Sequence, residues 1–154
     1  MKGKPPEEKF PYAEGPIPAK VMLVGQNPGK EEALVGRPFV GRSGKFLNHI
    51  FKKNGLDRSR FYITPLVKET TPHNRKPRAN EIKRWLPVLV KEIKRVRPEM
   101  IVLLGRIAWR IPRYDGIEYI ETYHPAAAMR FPKIREKFEN DMKKLSRKIS
   151  DTSR

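Results

Sequence analysis

Three short stretches of the chain hold residue types that do chemistry. Gly25-Gln26-Asn27-Pro28-Gly29 is a glycine-bounded turn that pairs the only glutamine of the sequence with an asparagine. It follows directly on an apolar run, so its backbone amides and the Asn27 side chain face whatever lies beyond the end of that run. Gly36-Arg37-Pro38-Phe39-Val40-Gly41-Arg42-Ser43-Gly44 sets one aromatic ring between glycines and two arginines, just before a helix start. That combination offers a stacking face beside phosphate contacts. Thr122 to Arg130 (TYHPAAAMR) places His124 just after another strand-like run. The first and third stretches thus occupy two strand ends that converge on one crevice.

Taken singly, each stretch has a plainer explanation. Asn-Pro-Gly turns occur in any connecting loop. Phe39 serves equally as a hydrophobic plug against a sheet, and Arg37 and Arg42 as a solvated loop surface. A lone histidine is more often structural than catalytic, which is how His49 and His73 are read. A phosphate-binding P-loop is excluded, because GQNPGK has three residues between its glycines instead of four and Lys30 is followed by Glu31 rather than Ser or Thr. The three histidines show no ligand spacing with carboxylates, so neither a metal nor an organic cofactor is expected. The absence of cysteine excludes disulfides, thiolate catalysis, Cys-ligated zinc and iron–sulfur clusters in this chain.

The elements that must position these residues follow from hydrophobic periodicity. Lys20 to Gly25 (KVMLVG) and Met100 to Gly105 (MIVLLG) lack the alternation of a half-wet strand and read as buried parallel strands. Phe61 to Leu66 and Ile117 to Tyr123 are the other two strands, the first stopping at Pro65. Ser43 to Asn54 sets Phe46, Leu47, Ile50 and Phe51 at helical spacing, with Ser43 expected as N-cap and Gly55 past the end. Asn80 to Arg97 repeats the pattern with Asn80 as expected cap, Pro98 as stop and Pro87 as an expected kink or break. Lys133 to Ile149 supplies a last basic amphipathic helix. Strands alternating with helices imply a three-layer α/β/α sandwich around a central four-stranded, mostly parallel sheet. Ligands bind beyond the carboxyl ends of such strands.

A length of 154 residues suits one domain, here 20–150, preceded by a proline-rich arm at 1–19 carrying Pro5, Pro6, Pro11, Pro16 and Pro18. Lys and Arg total 34 against 17 Asp and Glu, a formal net charge of +17 that points to a polyanionic partner. No apolar run approaches the ~18 residues of a spanning helix. The arm lacks the apolar core of a secretory signal. A cytoplasmic monomer is therefore expected. Charged residues at 33%, a single glutamine and proline-rich loops match proteins of hot environments.

The conjunction of GQNPG, GRPFVGRSG and HPAAAMR, in that order, resembles the uracil-DNA glycosylase superfamily. GRPFVG before a helix, the PHNRKP loop at Pro72 to Pro77, and RPEMIVLLG at Arg97 to Gly105 are most similar to its thermophile iron–sulfur branch, the fourth family. The resemblance spans roughly Val21 to Pro132. It implies a DNA glycosylase that flips a base from the stack at a cost of a few kcal/mol and hydrolyses its N-glycosidic bond. It also implies that Asn27 positions a water and that His124 donates to the negative charge developing on the departing base. Gln26, Phe39, Gly25, Gly29 and Thr64 would surround the base. Arg37, Arg42, Ser43, Arg75 and Arg130 would contact DNA, with Met129 as the wedge filling the gap in the stack.

The chain departs from the family pattern at three places. The four cluster cysteines are absent, with Glu69 where one would follow the second strand. Pro65 stands where relatives place an asparagine that reads the pyrimidine edge, and it brings neither an N–H nor a side-chain amide. Ala127-Ala128-Met129 stands where relatives carry bulkier residues. No lysine within the motifs marks a Schiff-base nucleophile, so strand-cleaving lyase activity is not expected. Uracil leads as the substrate base. Hypoxanthine or another damaged base, a non-catalytic DNA-binding relative, and an α/β enzyme acting on small phosphorylated substrates remain the alternatives at this stage.

Overall fold

A computed structural model describes residues 9–152. The chain runs β1 (Val21–Gly25), α1 (Lys30–Val35), α2 (Arg42–Lys53), β2 (Tyr62–Pro65), α3 (Ala79–Val96), β3 (Met100–Leu104), β4 (Glu118–Thr122), α4 (Pro125–Arg130) and α5 (Pro132–Thr152). The strands form one sheet of order β2-β1-β3-β4, parallel at every pairing. The expected three-layer α/β sheet is the architecture found.

Residue alternation along the strands builds the two helical layers. Val21, Leu23, Ile63, Val102 and Leu104 project to a core completed by Leu47, Ile50 and Phe51 of α2 and by Phe138, Met142 and Leu145 of α5. Met22, Val24, Tyr62, Ile101 and Leu103 project to the other face, where Leu89, Ile93 and Val96 of α3 cover them. Both faces of β1 and β3 are fully buried, which is why these strands read as unbroken apolar runs.

The helix ends differ from expectation. α2 is capped by Gly41, two residues earlier than expected, so Ser43 is its second residue and not its cap. α3 begins on Arg78 instead of Asn80, because Glu81 reaches back to the Arg78 N–H at 2.8 Å and does the capping itself. α3 also runs through Pro87 as one element, with the proline on its exposed side. Two helices lie outside the sequence reading. α1 buries none of its residues, and α4 occupies the stretch after His124, for which the periodicity predicts no element. Pro125 as first residue and the alanines behind it suit that helix.

The first described residues are not a free arm. Phe10 and Ala19 are buried, and Glu14 pairs with Ile63 in an antiparallel bridge (3.0 and 2.8 Å), covering the outer edge of β2.

Candidate active site

β1 is the strand from which successive connections diverge, β2 to one side and β3 to the other, and a crevice opens at such a point beyond the carboxyl ends. Its volume is about 580 Å³, and Gly25, Gln26, Asn27, Gly29, Phe39, Ser43, His124 and Arg130 are among its walls. That size falls within the ~300–1,000 Å³ of small-molecule pockets. All three sequence motifs meet here. A shallower cleft continues from it past Lys30, Arg42, Ser43, Met129 and Arg130.

Phe39 is held in a left-handed backbone conformation (φ 47°), uncommon for a non-glycine residue, and two glycines allow it. A Cβ on Gly25 would lie 2.8 Å from the Phe39 ring, and one on Gly44 would lie 2.0 Å from the Phe39 carbonyl oxygen. The ring is packed into the core and tilts against His124 at 5.8 Å between centroids. It is therefore both the plug and the aromatic wall.

His124 caps α4, its Nδ1 accepting from the Ala126 N–H at 3.0 Å. An accepting Nδ1 leaves Nε2 to carry the single proton of the neutral ring. Burial of the ring lowers its pKa to about 4, the nearby Glu32 charge opposing only part of that shift. The imidazole is thus a neutral donor at physiological pH.

Asn27 is fixed at its amide end. Its Nδ2 donates to the Glu69 carbonyl (3.3 Å) and to Thr71 Oγ1 (3.4 Å), while Oδ1 accepts from Gln26 Nε2 (3.3 Å).

Sequence reasoning missed two residues that hold the motifs together. Glu32 accepts from Gly29 N–H with one carboxylate oxygen (3.1 Å) and from Val40 and Gly41 N–H with the other (3.0 and 2.8 Å), lacing the first motif to the second. Arg58 donates to the carbonyls of Pro38 (2.6 Å) and Phe39 (2.9 Å), to Asn48, and to Glu14 (3.1 Å). Neither belongs to a recognisable motif, because their partners are mostly backbone groups of other loops. Tyr12 also lines the crevice.

Three expected contacts are placed elsewhere. Thr64 is fully buried and accepts from Lys68 Nζ at 2.8 Å, since strand alternation turns it toward the α3 layer, leaving Pro65 in the crevice wall. Arg37 is ion-paired with Glu14 at 2.8 Å. Arg75 makes a two-pronged pair with Glu81 at 2.7 and 3.1 Å, tying its loop to the start of α3. Lys76 takes a place in the crevice wall beside Arg130.

The residues after β2 do not suit an iron–sulfur cluster. Glu69 stands at the position in question and is ion-paired with Arg84 at 2.9 Å, and the sequence holds no cysteine. Among the described residues no cluster of three or more His, Asp or Glu side chains is placed to hold a metal.

The family model described as the uracil DNA glycosylase superfamily matches residues 12–147. The chain belongs to that superfamily. Its similar relatives within the superfamily include a type-4 uracil-DNA glycosylase of Archaeoglobus fulgidus, 35% identical over 82% of this chain and 75% of the relative. A type-4 uracil-DNA glycosylase of Sulfurisphaera tokodaii is 36% identical over 91% and 72%. A type-5 uracil-DNA glycosylase of Pyrobaculum aerophilum is 32% identical over 77% and 69%. The type-4 resemblance read from the motifs and the missing cysteines is therefore the relationship found, and the thermophilic relatives accord with the composition.

Proposed function

We propose that this superfamily member is a monofunctional DNA glycosylase that extrudes a deaminated base, uracil first, and hydrolyses its N-glycosidic bond to leave an abasic site. The observation that carries the reading is the meeting of Asn27 and His124 in one crevice, with His124 Nδ1 committed to its own helix and the ring kept neutral.

The chemistry follows from those two groups. The C1′–N bond breaks with its electron pair leaving on the base, so positive charge grows on the sugar and negative charge on the base carbonyl oxygens. His124 Nε2–H donates a hydrogen bond to that oxygen without losing its proton. Asn27 Oδ1 holds a water on the other side of the sugar. An amide oxygen cannot take a proton at neutral pH, so bond cleavage runs ahead of water attack and the water's proton passes to the departing base or solvent. Phe39 stacks on the base. We assign phosphate contacts to Arg42, Ser43, Lys76 and Arg130, and the gap left in the stack to Met129. We read the protein as a monomer, because the crevice is built from one chain, and as cytoplasmic, because its substrate would be DNA. Among the described residues no helix is long and apolar enough to cross a membrane.

The test is a panel of labelled oligonucleotides containing uracil, hypoxanthine, xanthine or a G·T mismatch, treated with alkali to reveal abasic sites. Pro65 in the crevice wall presents no donor to a pyrimidine edge, which is why the purine lesions belong in the panel. Uracil release, slowed about 10²-fold by His124→Ala, is the expected outcome. Breaks without alkali would argue for a lyase. DNA binding with no base released from any oligonucleotide would leave a binding protein that lacks the chemistry.

A further inference from the structure

The polar atoms of Asn27 can be accounted for one by one. An amide side chain offers two N–H donors and two carbonyl lone pairs. Here the donors go to the Glu69 carbonyl and Thr71 Oγ1, and one lone pair takes the Gln26 amide. A single lone pair is left for a water.

Which end of the amide faces which way is decided by its partners. The Glu69 carbonyl can only accept. Thr71 spends its own proton on the Arg75 carbonyl, so its oxygen too can only accept from Asn27. A flipped Asn27 would set its oxygen against both acceptors and its N–H groups against Gln26 Nε2. These two acceptors belong to one segment that is itself tied to α3 at both ends, through Glu69–Arg84 and Arg75–Glu81. Thr71 is buried at 7% exposure, so water does not readily replace it.

We infer that Thr71 is a positioning residue: with the Glu69 carbonyl, its hydroxyl locks the Asn27 amide so that Oδ1, and not the NH₂, is presented to the attacking water. The inference rests on the glycosylase reading for its kinetic consequence but not for its structural one. Thr71 itself does not line the crevice. Its effect on the reaction passes wholly through Asn27.

Four proteins test it: Thr71→Val, which keeps the shape and removes the hydroxyl, Thr71→Ser, which keeps the hydroxyl, Asn27→Ala, and the Thr71→Val/Asn27→Ala double variant. Single-turnover uracil excision should slow roughly tenfold in Thr71→Val, as expected for one lost hydrogen bond, with affinity for abasic DNA unchanged. Thr71→Ser should restore the rate to within about twofold, and the double variant should be no slower than Asn27→Ala alone. A wild-type rate in Thr71→Val, or losses that multiply in the double variant, would overturn the inference. The Asn27 side-chain amide resonances, identified by their disappearance in Asn27→Ala, provide a readout that needs no activity. They should move in Thr71→Val and stay in place in Thr71→Ser, and unmoved resonances in Thr71→Val would equally sink the inference. A wild-type protein that excises nothing while those resonances move would retire the glycosylase reading and leave the lock standing.

Discussion

His124 shows how surroundings shift the protonation of a residue of ordinary type. Burial keeps the ring uncharged down to about pH 4, so a reaction that uses it as a neutral donor should run at an even rate from pH 8 to near pH 5. An acid limb near the ordinary histidine value of 6.5 in a single-turnover pH profile would contradict that environment. The same shift touches stability. Between pH 6.5 and 4 the unfolded chain takes up a proton that the folded ring refuses, so stability falls as pH drops through that window. Melting temperatures of wild type and His124→Gln at pH 7 and 5 should converge at the lower pH. Asn27, Phe39 and His124 were legible in the sequence because each sits inside a motif at a strand or helix end. Glu32 and Arg58 were not, since a carboxylate that accepts from Gly29, Val40 and Gly41 leaves no pattern among side chains. Thr64 was misplaced by one residue of strand alternation, which reverses the face a side chain occupies.

The segment 9–19 and the Phe39 loop are joined through one cluster, Glu14 with Arg37 and Arg58. Burial works to raise the Glu14 carboxyl, but the two guanidiniums outweigh it and hold its pKa below the usual range. Arg58→Ala removes the donors to Pro38 and Phe39 carbonyls and should cost about 2 kcal/mol of stability, read from denaturant unfolding. It should also slow excision, because the left-handed Phe39 conformation loses its clamp. An unchanged excision rate would show that Gly25 and Gly44 alone suffice to seat the ring. The strands were legible because buried parallel strands are unbroken apolar runs, and α2, α3 and α5 because their apolar residues recur at helical spacing. α1 escaped notice because it buries nothing, with Leu34 80% exposed. The start of α3 was misjudged because capping there comes from Glu81 behind the cap residue instead of from the cap itself.

The whole molecule carries +17 on 154 residues, and Lys30, Arg42 and Arg130 line the cleft that leads out of the crevice. Affinity for undamaged duplex should fall steeply with salt, by roughly 10³-fold between 50 and 200 mM if about six phosphates are contacted. A shallow salt slope would show that the charge is spread as a solvated exterior and not gathered on a DNA-facing track. The bridge between Glu14 and Ile63 has a consequence of another kind. β2 closes one side of the sheet, and every one of its residues is buried. An uncovered apolar border of that sort is a template on which a neighbouring molecule can add a strand. The chain lays its own early residues there, with Gly15 pressed so close to Phe61 that no larger residue fits. Removing the segment would thus invite self-association and precipitation.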